Sequence, residues 1–250
     1  KGMKAKVLIG VLASLVFAGA AHGAIIQDNF DSYADKAAFD AVWLVRAAPG
    51  STLIQGVDHT TGTTNSILSS QTSFAEQSVQ YFGTPDLVGD NATPLKYEFW
   101  MSASAVDGTG GYRAHNDLRG YENDVYGSGA LEGLLAMGMW RGADAYGGNM
   151  DTNWSVRVIG GTGSVGYMAL NAPLTAGWHK LTAYIRSTDV HFYVDDAFAG
   201  QSPFVGSFDM GLLGSMYSST AGYTLTDDYL VDVVPEPATL ALLAIGGLAL

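Results

Sequence analysis

The sequence predicts an all-β protein built as a two-sheet sandwich, flanked by an N-terminal signal helix and a C-terminal apolar helix. Three observations predict it. Glycine supplies 32 of 250 residues and charged residues only 14%, which describes turn-dense β structure rather than a helical bundle. Apolar and polar residues alternate at period two in several short runs. The two ends, by contrast, carry uncharged apolar runs without alternation.

Residues 1–23 read as a secretory signal peptide. Lys1, Lys4 and Lys6 precede an uncharged run from Val7 to Ala21, and the small residues Ala21 and Gly23 place cleavage near Ala24. The alternative is a buried N-terminal helix, which would not require the lysine-first polarity.

Residues 24–233 form the predicted sandwich. Strands are expected at 24–30, 52–55, 66–69 and 78–82. In LKYEFWMS, Leu95, Tyr97, Phe99 and Met101 share one face while Lys96, Glu98, Trp100 and Ser102 share the other. Further strands are expected at 134–140, 154–159 and 166–170. Leu181, Ala183 and Ile185 then alternate inward, as do Val190, Phe192 and Val194, with Asp195 and Asp196 at a tight hairpin turn. Strands at 206–209 and 225–233 complete the set. The one helical candidate, 35–43, is short and is expected to cap an end of the sandwich.

Residues 234–250 hold Pro235, Glu236 and Pro237, followed by 13 uncharged residues. As a helix these cover only about 20 Å of a hydrocarbon core of about 30 Å. The triplet and apolar run, on a chain with a signal peptide, resemble the PEP-CTERM sorting signal of Gram-negative bacteria. The arginine cluster that ends that signal is missing, which fits a chain cut after Leu250. The resemblance implies export, transient anchoring in the inner membrane through the C-terminal helix, signal peptidase and exosortase as partners, and a final place at the cell surface or in the extracellular matrix.

A second resemblance lies in the middle. GWHKLTAYIRSTDVHFYVDDAFAG resembles the strand, turn, strand unit of concanavalin A-like jelly rolls, the laminin-G-like domains in particular. QDNFDSYADKAAFDAVW and DDYLVDVVPEP are similar to their first and last strands. The resemblance implies a jelly-roll sandwich and sugar-related work.

Composition excludes some functions. The chain carries a net charge of −12, and nine basic residues face 24 acidic ones beyond residue 23. Phosphate binding needs a basic surface that releases counterions, so nucleic acid is not expected as a partner. With no cysteine there is no disulfide framework, and stability rests on the core and on any structural calcium.

No enzyme signature stands out. The Glu-x-Asp-x-x-Glu strand of jelly-roll glycosidases, which sets two carboxylates about 5 Å apart, is missing. The five histidines have no zinc spacing, and no Gly-x-Ser-x-Gly elbow appears. A Ser-His-Asp triad assembled by the fold stays open. GGTGSVG, with no following helix, reads as a turn.

Two binding expectations remain. Asp28, Asp31, Asp227 and Asp228 lie on the terminal strands, which neighbour each other in the resembled fold, and could hold calcium through hard oxygen donors. The alternative is four separate solvated aspartates. The stretch 107–129 reads as a long polar loop. Its Tyr112, Tyr121 and Tyr126 would stack on sugar faces, and Arg113, Asn116 and Asp117, beside His115 and Arg119, would bond hydroxyls. Trp140 would join them if it faced outward, as would Trp100. The alternative is an ordinary loop whose tyrosines pack on the sandwich edge. The expected function is non-catalytic binding of an extracellular polysaccharide or glycoconjugate. A structural coat or matrix protein without a ligand, or an enzyme with a non-standard site, is the rival.

Overall fold

The computed structural model describes residues 25–47, 51–60, 65–70, 77–82, 86–103, 112–141, 152–160, 166–204, 206–218 and 223–234. Residues 1–23, where a signal peptide is expected, and Pro235, Glu236 and Pro237 with the apolar run after them, where a sorting signal is expected, lie outside these. Among the described residues no helix is long and apolar enough to cross a membrane.

Eight strands form one antiparallel sheet. In it β14 (Ala197–Pro203), β13 (Asp189–Val194), β12 (Gly177–Ile185), β7 (Leu95–Ala103), β17 (Tyr223–Val233), β4 (Ser66–Ser70) and β3 (Thr52–Ile54) follow one another, and β1 (Ile26–Asp28) pairs with β17. Seven strands form the second sheet, in the order β11 (Gly166–Pro173), β10 (Asn153–Gly160), β9 (Leu131–Arg141), β8 (Tyr112–Tyr121), β16 (Met210–Ser218), β5 (Gln77–Tyr81) and β2 (Leu44–Ala47). A small pair, β6 (Leu87–Val88) with β15 (Ser207–Phe208), forms a third ladder, and its Phe208 enters the main core.

The alternation read from the sequence decides which face is buried. Leu95, Tyr97, Phe99 and Met101 of β7, Leu181, Ala183 and Ile185 of β12, and Val190, Phe192 and Val194 of β13 all enter the main core. From the second sheet they meet Leu118, Leu135, Met137, Trp154 and Val156. Burying such side chains stabilises by about 1.5–3 kcal/mol each, which is what holds two sheets face to face. Asp195 and Asp196 have φ of 50° and 64°, the left-handed pair that a two-residue hairpin turn demands.

Helix α1 (Lys36–Asp40) falls inside the expected 35–43 but is shorter. Asp35 caps it, its side chain accepting from the Ala38 N–H at 2.9 Å. The expected long loop at 107–129 is corrected: within it lies β8, one of the middle strands of the seven-stranded sheet, and only residues 122–130 turn the chain into β9. Two polar contacts pin β8 to the opposite sheet. Asn116 donates to Thr226 Oγ1 at 3.0 Å, and the Tyr229 hydroxyl donates to the Asp117 carbonyl at 3.0 Å. Tyr229 reaches there because β17 bulges between Asp227 and Leu230, with Asp228 at φ 48°.

Candidate functional site on the seven-stranded sheet

Side chains alternate along β8, so Asn116 and Leu118 turn to the core while His115, Asp117, Arg119 and Tyr121 stand on the outer face. Asp117 is fully buried there. It accepts from Arg119 Nε at 2.9 Å and Nη2 at 2.5 Å and shares a hydrogen bond with His115 Nδ1. The His115 ring stacks on Trp140 of β9, 4.7 Å away with 13° between the planes. Gly138 on β9 pairs with His115, and a Cβ there would come within 2.1 Å of the Ala114 carbonyl oxygen. Only glycine lets β8 and β9 approach this closely.

Arg119 continues the line outward. It donates to the Tyr126 hydroxyl at 3.0 Å and reaches the Tyr121 hydroxyl at 3.5 Å. Its guanidinium lies 5.1 Å from the Tyr126 ring centroid, and that of Arg46, on β2, lies 4.5 Å from the same ring. Burial alone would push the Asp117 carboxyl up, yet the charges of His115 and Arg119 outweigh it and hold the carboxyl below its ordinary value. Arg119 is likewise held charged, its burial overcome by Asp117.

The structure brings Asp117, Tyr121 and Tyr126 together on one face, with His115 and Arg119. Trp140 stands on that face too, but only 2% of it is exposed, so it supports His115 rather than offering a free ring. Asn116 is corrected: it points into the sandwich and joins the sheets, accepting from the Gly214 N–H as well. Tyr112 and Arg113 lie on β8, and their side chains fall outside the described residues. Sequence reasoning missed Arg46, Arg157 and Tyr167, which the sheet order alone places beside the others. The Arg157 guanidinium sits 5.0 Å from the Tyr167 ring centroid.

The four terminal aspartates are each engaged by neighbouring polar groups. Asp28 Oδ2 accepts from Trp43 Nε1 and the Tyr33 hydroxyl, while Oδ1 accepts from the Phe30 N–H. Asp31 engages Asn29 and the Asn65 N–H. Asp227 Oδ2 accepts from the His59 N–H and meets His59 Nδ1 at 2.8 Å. Asp228 stands 3.5 Å from the other nitrogen of that ring. Among the described residues no three His, Cys, Asp or Glu side chains converge as a metal site. Trp100 faces outward, stacked on His59 at 4.3 Å. Beside this cluster a cavity of about 410 Å³ is lined by Gln27, Asp28, Asn29, Glu98, Asp228, Tyr229 and Leu230.

No protein-family model matches the chain, and no curated protein matches it in sequence. Among solved structures, a carbohydrate esterase from the Shiga toxin-encoding bacteriophage phi24B is similar, with a TM-score of 0.55 and 11% identity over 85% of this chain and 99% of its own. A sialidase is similar with a TM-score of 0.51 and 13% identity over 86% of this chain. This chain spans 19% of that sialidase, so the likeness is to one part of it. At such identities the likeness is one of fold: an all-β protein of stacked antiparallel sheets.

Proposed function

We propose that this is an exported protein whose jelly-roll domain, concanavalin A-like in type, binds carbohydrate without catalysis on the outer face of the seven-stranded sheet. The observation that carries the reading is Tyr126, a partly exposed ring flanked by the guanidinium groups of Arg46 and Arg119, with Asp117 buried behind them. Planar rings stack on sugar C–H faces, and fixed charged donors then bond hydroxyls. Structural relatives named for an esterase and a sialidase are in keeping with sugar-related work. A glycan array with the full chain and its Tyr126→Ala variant tests it: binding of at least one glycan that the variant loses is expected, and no binding by either overturns it.

The rival, a matrix or coat protein without ligand, draws on the burial of Trp140 and Asp117, which closes both to direct contact. Under that reading the array stays blank and Tyr126→Ala changes only stability.

A further inference from the structure

Arginine is distributed unevenly in this acidic chain. Five of its six arginines lie on strands of the seven-stranded sheet: Arg46 on β2, Arg113 and Arg119 on β8, Arg141 on β9 and Arg157 on β10. With a net charge of −12, general solubility does not ask for such segregation. Arg119 is matched by Asp117. Arg46 and Arg157 have no carboxylate partner among the described residues. Arg46 donates instead to the Tyr126 carbonyl at 3.0 Å, and the buried Nε of Arg157 has no hydrogen-bond partner among the described residues.

Each of the three cations sits beside a ring, Arg46 and Arg119 at Tyr126 and Arg157 at Tyr167. The strand order sets β2 and β10 five steps apart, which at about 4.8 Å per step is roughly 24 Å, with β8 between them. That width suits a chain of several sugars rather than one. A guanidinium fork takes an oxyanion in two parallel hydrogen bonds, and a neighbouring ring takes the apolar face of the sugar that carries it. Neutral sugars would leave the charges of Arg46 and Arg157 unmatched.

Resting on the carbohydrate reading above, we infer that the ligand is an anionic polysaccharide lying across the strands from β2 to β10, its acid groups on Arg46 and Arg157. The same chemistry could come from uronic acids or from sulfated sugars.

Calorimetry with the full chain separates the possibilities, using polygalacturonate, its carboxyl-reduced neutral form and dextran sulfate. The expected result is binding of polygalacturonate that weakens at least tenfold on carboxyl reduction and at least tenfold in the Arg46→Gln, Arg157→Gln double variant. Binding of dextran sulfate alone, with the same loss in that variant, supports the anionic ligand and assigns it to sulfated sugars. A charge-matched control, Lys36→Gln with Lys180→Gln, lies on α1 and β12 and should bind as the parent does. Equal binding of the carboxyl-reduced polymer would overturn the anionic ligand and leave the carbohydrate reading standing. Equal loss in the control would overturn the placement on this sheet. No binding of any of the three polymers overturns the inference, and a blank glycan array beside it would remove the broader reading as well.

Discussion

Asp117 and Arg119 stand two residues apart on one strand, and both Nε and Nη2 of Arg119 donate to the same oxygen, Asp117 Oδ2. A carboxylate with no exposed surface would be costly alone. Its partners make it the more stable form, and removing one member of such a buried pair costs about 3–5 kcal/mol. Asp117→Ala should therefore lower the unfolding free energy by about that much at pH 7, read by urea denaturation. Because the folded-state pKa is depressed, the stabilisation is present above the unfolded carboxylate value of about 3.9 and is lost as pH falls through the folded one. The parent should lose stability on acidification in that window, and the variant should lose less.

Asp209 works in the opposite sense. Its Oδ2 accepts from the Tyr121 N–H at 2.9 Å, while Oδ1 is buried without a partner among the described residues. Burial, opposed by the Tyr121 N–H but aided by the charges of Asp86 and Asp124, pushes its pKa up to about 6. A raised carboxyl contributes stability that is complete below the unfolded value of about 3.9 and is lost as pH rises through about 6. Asp209→Asn keeps an acceptor for Tyr121 and removes the charge. Its melting temperature should exceed the parent's at pH 7.5 and match it near pH 4; equal melting at both would show that the charge is not strained.

For the terminal aspartates the test is calcium. Asp28 ties β1 to the aromatic cluster of Trp43, Tyr33 and Phe30 through three hydrogen bonds. Bonds to a charged group contribute about 1.5–3 kcal/mol each, though not additively. Asp28→Ala should lower the melting temperature by several degrees, and equally in EDTA and in millimolar calcium. A loss that appears only with calcium would make the residue a metal ligand, since an ion bound to the folded state alone adds stability by mass action.

How far the sequence could be read depended on where burial leaves a periodic trace. Leu95 to Met101 and Leu181 to Ile185 alternate cleanly, and their burial follows. Strand β8 does not. Its inward positions include Ala114, Asn116 and Gly120, small or polar, and its outward ones include His115, Asp117 and Arg119. Leu118 is the one large apolar side chain on the inward face, and Asn116 beside it is satisfied by Thr226 of the opposite sheet and Gly214 of the neighbouring β16. The stretch was legible as polar and aromatic but not as a strand. Asp117, Tyr121 and Tyr126 could be named from local composition. Arg46 and Arg157 could not, since only the order of strands in the sheet brings them alongside.

The export reading is tested at Glu236. The apolar run after Pro237 is too short as a helix for a hydrocarbon core of about 30 Å, so the experiment extends it by several apolar residues and an arginine cluster. The extended chain should insert, with the basic residues kept on the cytoplasmic side. Glu236 lies outside the apolar run, so Glu236→Ala should insert equally well. If an exosortase reads the Pro-Glu-Pro triplet, a host with that enzyme should release the parent domain to the medium or surface and retain the variant in the inner membrane. Fractionation of the two proteins measures this, and a host lacking the enzyme should retain both. Equal release of parent and variant would show that the triplet is not read and that the tail acts through its hydrophobicity alone.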